Sequence, residues 1–408
     1  MTTPIILDDW VIAKTEDERE RRRKIFADLQ KHGQPIWFQH FKYDNYFYLS
    51  LLHYEDMLHV SRNPNRYINA TGFLINDNES FLPFNGSLLT MDGAKHRDYR
   101  AIVSNAFRRA EVENMREDIR TGIRAIFEKL ILEHPDRTAD VYAKLALQIP
   151  VFVNCQMLGV PLEDAPKIDV FTKRIVLGDD EEHGNGNPIS WYKACVKLRQ
   201  YGAKLADARR QDPKDDLITS LISAEINGEP MSDEEFGHYF ILMLVAGLET
   251  TTHSLIHLLR HLTDNPEEKS AVLSSPQKYA IPAIEESLRL EPPVMYTRRT
   301  ATEDDEIGGV SVRAGDRIVI WHTATNRDES VFPEPNKFDL ERVTTQHHTS
   351  FGGPGPHHCV GATLARVEAE EFIYALAEYT PDMVVSAEQP VYGRSLWGNG
   401  VNRCYAKW

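Results

Sequence analysis

Cysteine is scarce in this chain, and no two cysteines are close together. The four cysteines in 408 residues stand at positions 155, 195, 359 and 404, without a Cys-x-x-Cys pair. This spacing argues against the disulfide framework that stabilises small secreted domains. A cysteine with a chemical role must therefore be recognised by its neighbours in the sequence.

The chain also has no excess of basic residues, no long apolar run and no linker-like stretch. The formal net charge of -15 argues against nucleic acid as a partner, because binding phosphates requires a basic face. The longest strongly apolar run, residues 240–248, is too short to span a bilayer, and residues 1–23 contain no signal-peptide core. We therefore expect a cytoplasmic protein without a membrane anchor. No repeat or Gly/Ser-rich stretch divides the chain, which predicts one domain over residues 1–408.

The apolar pattern predicts a mainly α protein with a minor β region. Strand-like alternation occurs early in the chain and again at residues 304–320. Ser232 and Glu235 form a capping box that opens an unusually long helix. Residues 66–91 show neither the helical nor the strand period, which predicts a long loop, a feature that is often functional. The predicted helices cover residues 94–107, 111–132, 143–158, 192–210, 215–226 and 232–261.

Residues 351–361, which read Phe-Gly-Gly-Pro-Gly-Pro-His-His-Cys-Val-Gly, have a composition suited to holding a thiolate on a metal. Glycines permit a tight loop around sulfur, and backbone N–H groups aimed at the sulfur stabilise the thiolate. A helix that begins near Gly361 places its positive end behind Cys359. Two other interpretations stay open from the residues alone: a buried cysteine beside a turn, and a zinc site built with the clustered histidines. Those histidines are His347, His348, His357 and His358.

The same segment resembles the haem loop of the cytochrome P450 superfamily, Phe-x-x-Gly-x-His/Arg-x-Cys-x-Gly. Phe351 lies one residue farther from the cysteine than in the commonest form, so this loop carries an extra residue. The resemblance implies haem b (iron protoporphyrin IX) as cofactor, with Cys359 as the axial ligand of the iron. It also implies a triangular helical domain whose long central helix crosses the haem. The loop residues expected at the haem are Phe351, Gly353, His357, Cys359 and Gly361.

Two more motifs of that family occur in the family's order. Glu286 and Arg289 stand three apart on one predicted helical face, and Arg342 matches the third member of a structural ion network. For the two haem propionates, the family's His-x-x-x-Arg helix and its second arginine imply cationic or hydrogen-bonding partners. The matching residues are His96, Arg100 and Arg299.

Residues 246–251, Ala-Gly-Leu-Glu-Thr-Thr, resemble the oxygen-activating motif of the same family. We expect Ala246 and Gly247 to lie against the haem, where Gly247 lets a flat ligand approach the backbone. Thr250 can bond back to a backbone carbonyl and open the helix locally. By the resemblance, Glu249 and Thr250 are the catalytic residues that relay protons to bound dioxygen.

The resemblance implies a monooxygenase that inserts one atom of O2 into a hydrophobic small molecule. A separate ferredoxin and ferredoxin reductase would supply electrons, because no flavin or iron–sulfur module is fused to the chain. The alternatives are a peroxide-driven haem enzyme and a non-catalytic haem-based binder or sensor. Family analogy favours a steroid, terpenoid or branched lipid as substrate, in a pocket lined by apolar side chains. These side chains are Phe73, Leu74, Phe81, Leu82, Phe84, Leu244, Val294, Met295, Leu396 and Trp397.

Overall fold

Helices form most of the protein. The computed structural model describes residues 5–7, 9–40, 46–75, 86–176, 180, 182–183, 187–226, 228–386 and 390–408. Three predicted pocket residues, Phe81, Leu82 and Phe84, lie outside the described residues. The helices are α1 (Glu16–Gln30), α2 (Tyr54–Arg62), α3 (Gly93–Ser104), α4 (Arg109–Glu133), α5 (Gln148–Leu158), α6 (Ala165–Val176), α7 (Pro188–Gln211), α8 (Leu217–Ile222), α9 (Asp233–Asp264), α10 (Pro266–Ser274), α11 (Pro276–Leu290), α12 (His322–Thr325) and α13 (Ala362–Tyr379).

The strands are short and form a small β region beside the helices. One sheet has six strands in the order β1-β2-β3-β11-β8-β4, with β11 parallel to β3 and antiparallel to β8. The strands are β1 (Ile5–Leu7), β2 (Ile36–His40), β3 (Phe47–Leu51), β4 (Tyr67–Ile68), β5 (Thr138–Asp140), β6 (Glu225–Ile226), β7 (Glu229–Pro230), β8 (Tyr296–Ala301), β9 (Asp305–Ile307), β10 (Val310–Val312), β11 (Arg317–Trp321), β12 (Val384–Val385), β13 (Val391–Tyr392), β14 (Val401–Arg403) and β15 (Tyr405–Lys407). The predicted class, mainly α with a minor β region, is confirmed.

The long central helix α9 starts at the predicted capping box. Ser232 accepts from the N–H of Glu235, and the Glu235 carboxylate accepts from the Ser232 N–H in return. Among the described residues, α9 alone has the length and apolar content to cross a membrane. However, 78% of its most apolar stretch is buried inside the protein, where α5, α6, α7, α11 and α13 pack around it.

The core has a helical part and a sheet part, as the helical and strand periods of the apolar side chains predict. The largest apolar cluster surrounds α9 and joins helices α3 to α11 and α13. On β11, Val319 and Trp321 pack into a second cluster, whereas Ile318 and Ile320 pack into a third. Successive side chains of a strand point to opposite faces, so the sheet is covered on both sides. The organisation as one domain stays a prediction.

Three sequence predictions about local structure are corrected by the fold. Residues 143–158 are not one regular helix, because a π-helical turn, Tyr142–Ala146, precedes α5. Residues 215–226 contain only the short α8, after which Gly228 with φ +83° turns the chain between β6 and β7. The segment 66–91 contains β4, which pairs with β8 at the edge of the six-stranded sheet.

Candidate active site

Residues 351–361, called the cysteine loop below, form a tight turn closed by backbone hydrogen bonds. The N–H of Cys359 donates to the carbonyl oxygen of Phe351 at 2.8 Å, which brings the two ends of the loop together. Glycines 352, 353 and 355 all have positive φ, at 95°, 67° and 136°. A Cβ on Gly355 would lie 2.8 Å from the backbone oxygen of Ser61, so a side chain there would push the loop off α2.

The Cys359 side chain is exposed to a space that solvent can reach, although it sits against the start of α13. The protein atoms around the sulfur still desolvate it and raise the pKa of the Cys359 thiol, and the Gly361 N–H, Arg100 and Arg366 act in the opposite direction. A Cβ on Gly361 would lie 4.0 Å from the Cys359 sulfur, which shows how close the start of α13 is to the sulfur. An N–H donor and two cationic neighbours therefore favour the thiolate, the form of the sulfur that binds a metal.

Phe351 does not point freely into solvent. Its ring packs 4.4 Å beneath the Arg366 guanidinium and 5.7 Å from the ring of His348. Gly353 faces α2, because a Cβ there would lie 2.9 Å from the Met57 sulfur. Gly353 therefore closes the loop against α2.

A short stretch of α9 is open to solvent although its neighbours along the helix are buried. Ala246 is exposed and Gly247 and Thr250 are partly exposed, whereas residues 239–245 are all buried. The Thr250 hydroxyl donates to the carbonyl oxygen of Ala246 at 2.5 Å, the back-bond that the sequence predicted. Such exposure in the middle of a core helix requires an internal cavity on that face.

Gly247 packs closely against the neighbouring helix α5. A Cβ at this position would lie 2.5 Å from the Asn154 Oδ1 and 2.8 Å from its Nδ2, on the side of α5. Asn154 is buried and its amide donates to the Pro150 carbonyl. The absent side chain thus permits close packing of α9 on α5, and the expectation that it also lets a flat ligand approach the backbone stays a prediction.

Basic and imidazole side chains converge around His357. The His96 ring lies 4.3 Å from the His357 ring, is buried, and has no hydrogen-bond partner at Nε2 among the described residues. Burial lowers the pKa of His96 to about 4, helped by His357 and Arg100. Burial likewise lowers the pKa of Arg299 to about 10, against the charge of Asp92. Unpartnered donors and a buried cation are what a bound carboxylate needs.

Arg100 and Arg299 both lie close enough to His357 for their charges to act on it. Arg100 donates to the His358 carbonyl oxygen at 2.6 Å, and Arg299 donates to the Arg298 carbonyl oxygen at 2.8 Å. Burial lowers the pKa of His357, and the charges of Arg299 and Arg100 both add to that effect. The structure therefore brings His96, Arg100 and Arg299 together around His357, next to the cysteine loop.

Glu286, Arg289 and Arg342 form one buried ion network. Arg289 donates from Nε and Nη2 to the two Glu286 oxygens, at 2.8 and 2.7 Å. Arg342 Nε donates to Glu286 Oε1 at 2.9 Å. Arg289 also donates to the carbonyl oxygen of Asn326, whose side-chain oxygen accepts from the N–H of Thr349 at 2.6 Å. The network thus supports the segment that enters the cysteine loop.

The clustered histidines do not come together around a metal. His348 is buried against Glu285, with 3.0 Å between Nε2 and Oε2, whereas His347 is exposed. His357 lies 3.4 Å from an Asp92 oxygen. Across the part of the chain that the structure describes, no three His, Cys, Asp or Glu side chains are grouped as metal ligands.

Comparison with known proteins decides the family. The cytochrome P450 family model matches residues 277–378. A methyl-branched lipid omega-hydroxylase of Mycobacterium tuberculosis is 34% identical over 360 residues, which is 88% of this chain and 83% of the relative. The chain belongs to the cytochrome P450 family. A steroid C26-monooxygenase of Rhodococcus jostii is 33% identical over 396 residues, 92% of this chain and 79% of the relative.

Solved structures give the same answer for the fold. The cytochrome P450 CYP268A2 of Mycobacterium marinum, in complex with pseudoionone, superimposes with a TM-score of 0.92 at 28% identity. The match covers 99% of this chain and 97% of that one. This P450 is therefore an oxidoreductase with haem b as its cofactor, of a family whose members hydroxylate hydrophobic substrates.

The residues present fit a haem. An exposed sulfur with a supporting N–H, an unpartnered buried His96 nitrogen and a buried Arg299 match a thiolate ligand and two propionates. The open face of α9 at Ala246 gives a second wall for a flat group. When bound, haem supplies the activation of dioxygen, which a thiolate ligand favours.

Apart from Leu244 of α9, the described pocket residues belong to three segments that meet. Met295 N–H donates to the Trp397 carbonyl oxygen at 2.8 Å, and the rings of Phe73 and Trp397 pack edge to face at 6.1 Å. Val294, Leu74 and Trp397 are partly buried.

The structure places three other predicted pocket residues deeper. Leu244 is only 1% exposed. Met295 is buried too, and its sulfur accepts from Arg22 at 3.0 Å. Leu396 packs with Met295 in the second apolar cluster. These three side chains pack within the apolar clusters, and their place in the substrate pocket stays a prediction.

The sequence reasoning missed several residues at the site. Asp92 accepts from the N–H groups of Asn69 and Ala70 and also contacts His357, so it links the loop before α3 to the cysteine loop. Tyr142 and His253 surround Glu249. His253 stands four residues after Glu249 on a helix, so helical spacing alone predicts that the two are neighbours.

Proposed function

We propose that this P450 is an O2-dependent hydroxylase of steroids, terpenoids or branched lipids, supplied with electrons by a separate ferredoxin. It acts in the cytoplasm as a single haem domain. The observation that carries the proposal is the open stretch of α9, where Thr250 bonds to the Ala246 carbonyl beside the buried Glu249. A hydroxyl and an acid at this position equip the cavity for proton delivery.

Each of the chain's own residues has a distinct task in this mechanism. Cys359 would ligate the iron, while His96, Arg100 and Arg299 would bind the propionates and so fix the orientation of the haem. Thr250 presents its hydroxyl at the cavity wall and exchanges the bond to Ala246 for a bond to a ligand or water. Glu249 returns protons to Thr250. Apolar walls exclude bulk water from the remaining space.

Thr250→Ala is expected to uncouple electron consumption from product formation. Without the hydroxyl, proton delivery to the cavity lags behind electron delivery. The share of NADH recovered as product therefore falls by about tenfold or more. The measurement compares NADH consumed, peroxide released and product formed in a system reconstituted with ferredoxin and its reductase.

Thr252→Ala is the matched control for this variant. Thr252 makes the same back-bond, to the Leu248 carbonyl at 2.8 Å, but it is fully buried away from the cavity. Its coupling is expected to stay near that of the wild type. A fully coupled Thr250→Ala enzyme would contradict the relay.

The two alternative functions are separated by the same assay. A peroxide-driven enzyme would form product from added peroxide without reductase, and catalase would stop it. A non-catalytic haem binder would form no product from NADH. The retained pair of Glu249 and Thr250 favours the O2-dependent enzyme, because a peroxide-driven reaction does not need protons delivered in two steps.

An acidic ferredoxin is the partner that the basic surface of α3 and the start of α4 favours. Lys95, Arg97, Arg108 and Arg109 are exposed on α3 and at the start of α4, and Arg100 of α3 contacts the His358 carbonyl of the cysteine loop, on a chain that is acidic overall. We expect the rate of reduction by ferredoxin to fall by about tenfold between low and high ionic strength. Reversing the charge of Arg108 and Arg109 should abolish most of that dependence. Arg21→Glu, an exposed arginine on α1, is the matched control.

The substrate class rests on the pocket and on the relatives. Phe73, Val294 and Trp397 give the cavity an apolar wall, and the relatives are named for a methyl-branched lipid and a steroid. We expect sterols and methyl-branched lipids to shift the Soret band to the high-spin position at micromolar concentrations. Straight-chain fatty acids and compact aromatic acids are the comparison compounds. A response only to the aromatic acids would contradict the proposal.

A further inference from the structure

Glu249 lies in a cluster of buried polar groups whose hydrogen bonds are incomplete. Glu249 is 0% exposed, and neither of its carboxylate oxygens has a hydrogen-bond partner among the described residues. His253 Nε2 lies 3.4 Å from Glu249 Oε2, also without a completed hydrogen bond. The buried Tyr142 hydroxyl likewise has no completed hydrogen bond. Several such groups at one point are rare in a folded protein and require an explanation.

The tautomer of His253 is fixed by the backbone. Its Nδ1 accepts from the N–H of Val401 in β14, at 3.3 Å. In the neutral ring the proton must therefore be on Nε2, the nitrogen that faces Glu249. Because His253 stands one helical turn after Glu249, a small rotation of the carboxylate completes this hydrogen bond.

Tyr142 closes the other side of the cluster. Its ring stacks on His253, with the centroids 6.1 Å apart and an interplanar angle of 18°. Burial, followed by the charges of Glu249 and Asp169, holds the pKa of Tyr142 well above its usual range, so its hydroxyl keeps its proton. Tyr142 is also the first residue of the π-helical turn, and such turns occur often at functional sites.

Lys173 and Asp169 on α6 form the partly exposed end of the cluster. The Lys173 ammonium lies 5.1 Å over the Tyr142 ring and 3.0 Å from an Asp169 oxygen. Their side chains are 13% and 19% exposed. Lys173 thus pairs with Asp169, and among the described residues no Lys or Arg forms an ion pair with Glu249.

We propose that His253 and Tyr142 are positioning residues for Glu249. His253 Nε2–H and the Tyr142 hydroxyl hold the carboxylate from two sides, which keeps it buried without a cation and directed along α9 toward Thr250. This inference rests on the proposed relay by Glu249 and Thr250.

The test combines an infrared measurement on the resting protein with the coupling assay. The difference spectrum between the wild type and Glu249→Gln identifies the carboxylate band of Glu249. Tyr142→Phe, which removes only the hydroxyl, and His253→Phe are each expected to shift this band and to lower coupling by about fivefold to tenfold. His253→Gln, which restores an N–H donor, is expected to recover most of both.

Tyr48→Phe is the matched control, because Tyr48 is also fully buried with an unpartnered hydroxyl but lies in the second apolar cluster. It should behave as the wild type. An unshifted band and full coupling in both Tyr142→Phe and His253→Phe would overturn the proposal. Should the band shift while Glu249→Gln and Thr250→Ala stay fully coupled, positioning is supported and the proposed relay fails.

Discussion

Cys359→Ala is expected to abolish hydroxylation and the strongly red-shifted Soret band of the reduced CO complex. Both depend on a thiolate opposite the bound gas, and the loop offers one sulfur with a supporting N–H, that of Gly361. The loss of rate should reach about 10³-fold or more, which corresponds to about 4 kcal/mol of activation free energy. The measurements are the CO difference spectrum and product formation in the reconstituted system.

Another cysteine cannot take over this role. Cys155, Cys195 and Cys404 are all buried in the largest apolar cluster, outside the cysteine loop, whereas Cys359 is exposed. Cys404→Ala is the control and should keep the red-shifted band. A Cys359→Ala protein with that band intact would show that the iron has a different ligand.

The sequence predicted the parts of the site that are set by local chemistry. Positive φ at Gly352, Gly353 and Gly355 follows from glycine itself, and the capping box at Ser232 follows from two residues three apart. The back-bond of Thr250 follows from helical geometry in the same way. A single chain segment determines each of these features, so a reader of the sequence can find them.

Contacts between distant segments decided the features that the sequence did not predict. Gly247 is small because Asn154 of α5 approaches it, and the pattern around residue 247 contains no sign of that neighbour. Met295 was predicted to line the pocket, yet Arg22 of α1 contacts its sulfur. The π-helical turn at Tyr142 inserts one residue into a sequence whose apolar pattern predicts a regular helix.

Glu286→Gln is expected to lower the free energy of unfolding by about 3–5 kcal/mol, because it leaves two buried guanidinium groups without their shared anion. Burial by itself would raise the pKa of Glu286, but Arg289 and Arg342 hold it below its ordinary value of 4.5. A carboxyl with a depressed pKa stabilises the fold at pH values above 4.5 and loses that contribution as the pH falls through its folded pKa. The difference between wild type and variant should therefore be largest at neutral pH and shrink below about pH 4.

Glu378→Gln is the matched control for this variant. Glu378 pairs with Arg124 at 2.7 Å, but the side chains are 48% and 47% exposed, so its loss should change stability by less than about 1 kcal/mol. Denaturant unfolding at several pH values, followed together with haem release, measures both variants. Haem should leave Glu286→Gln earlier, because Arg289 also holds Asn326, whose side chain binds the N–H of Thr349 before the cysteine loop. Equal, small losses in the two variants would mean that the buried network stabilises the loop no more than a surface ion pair does.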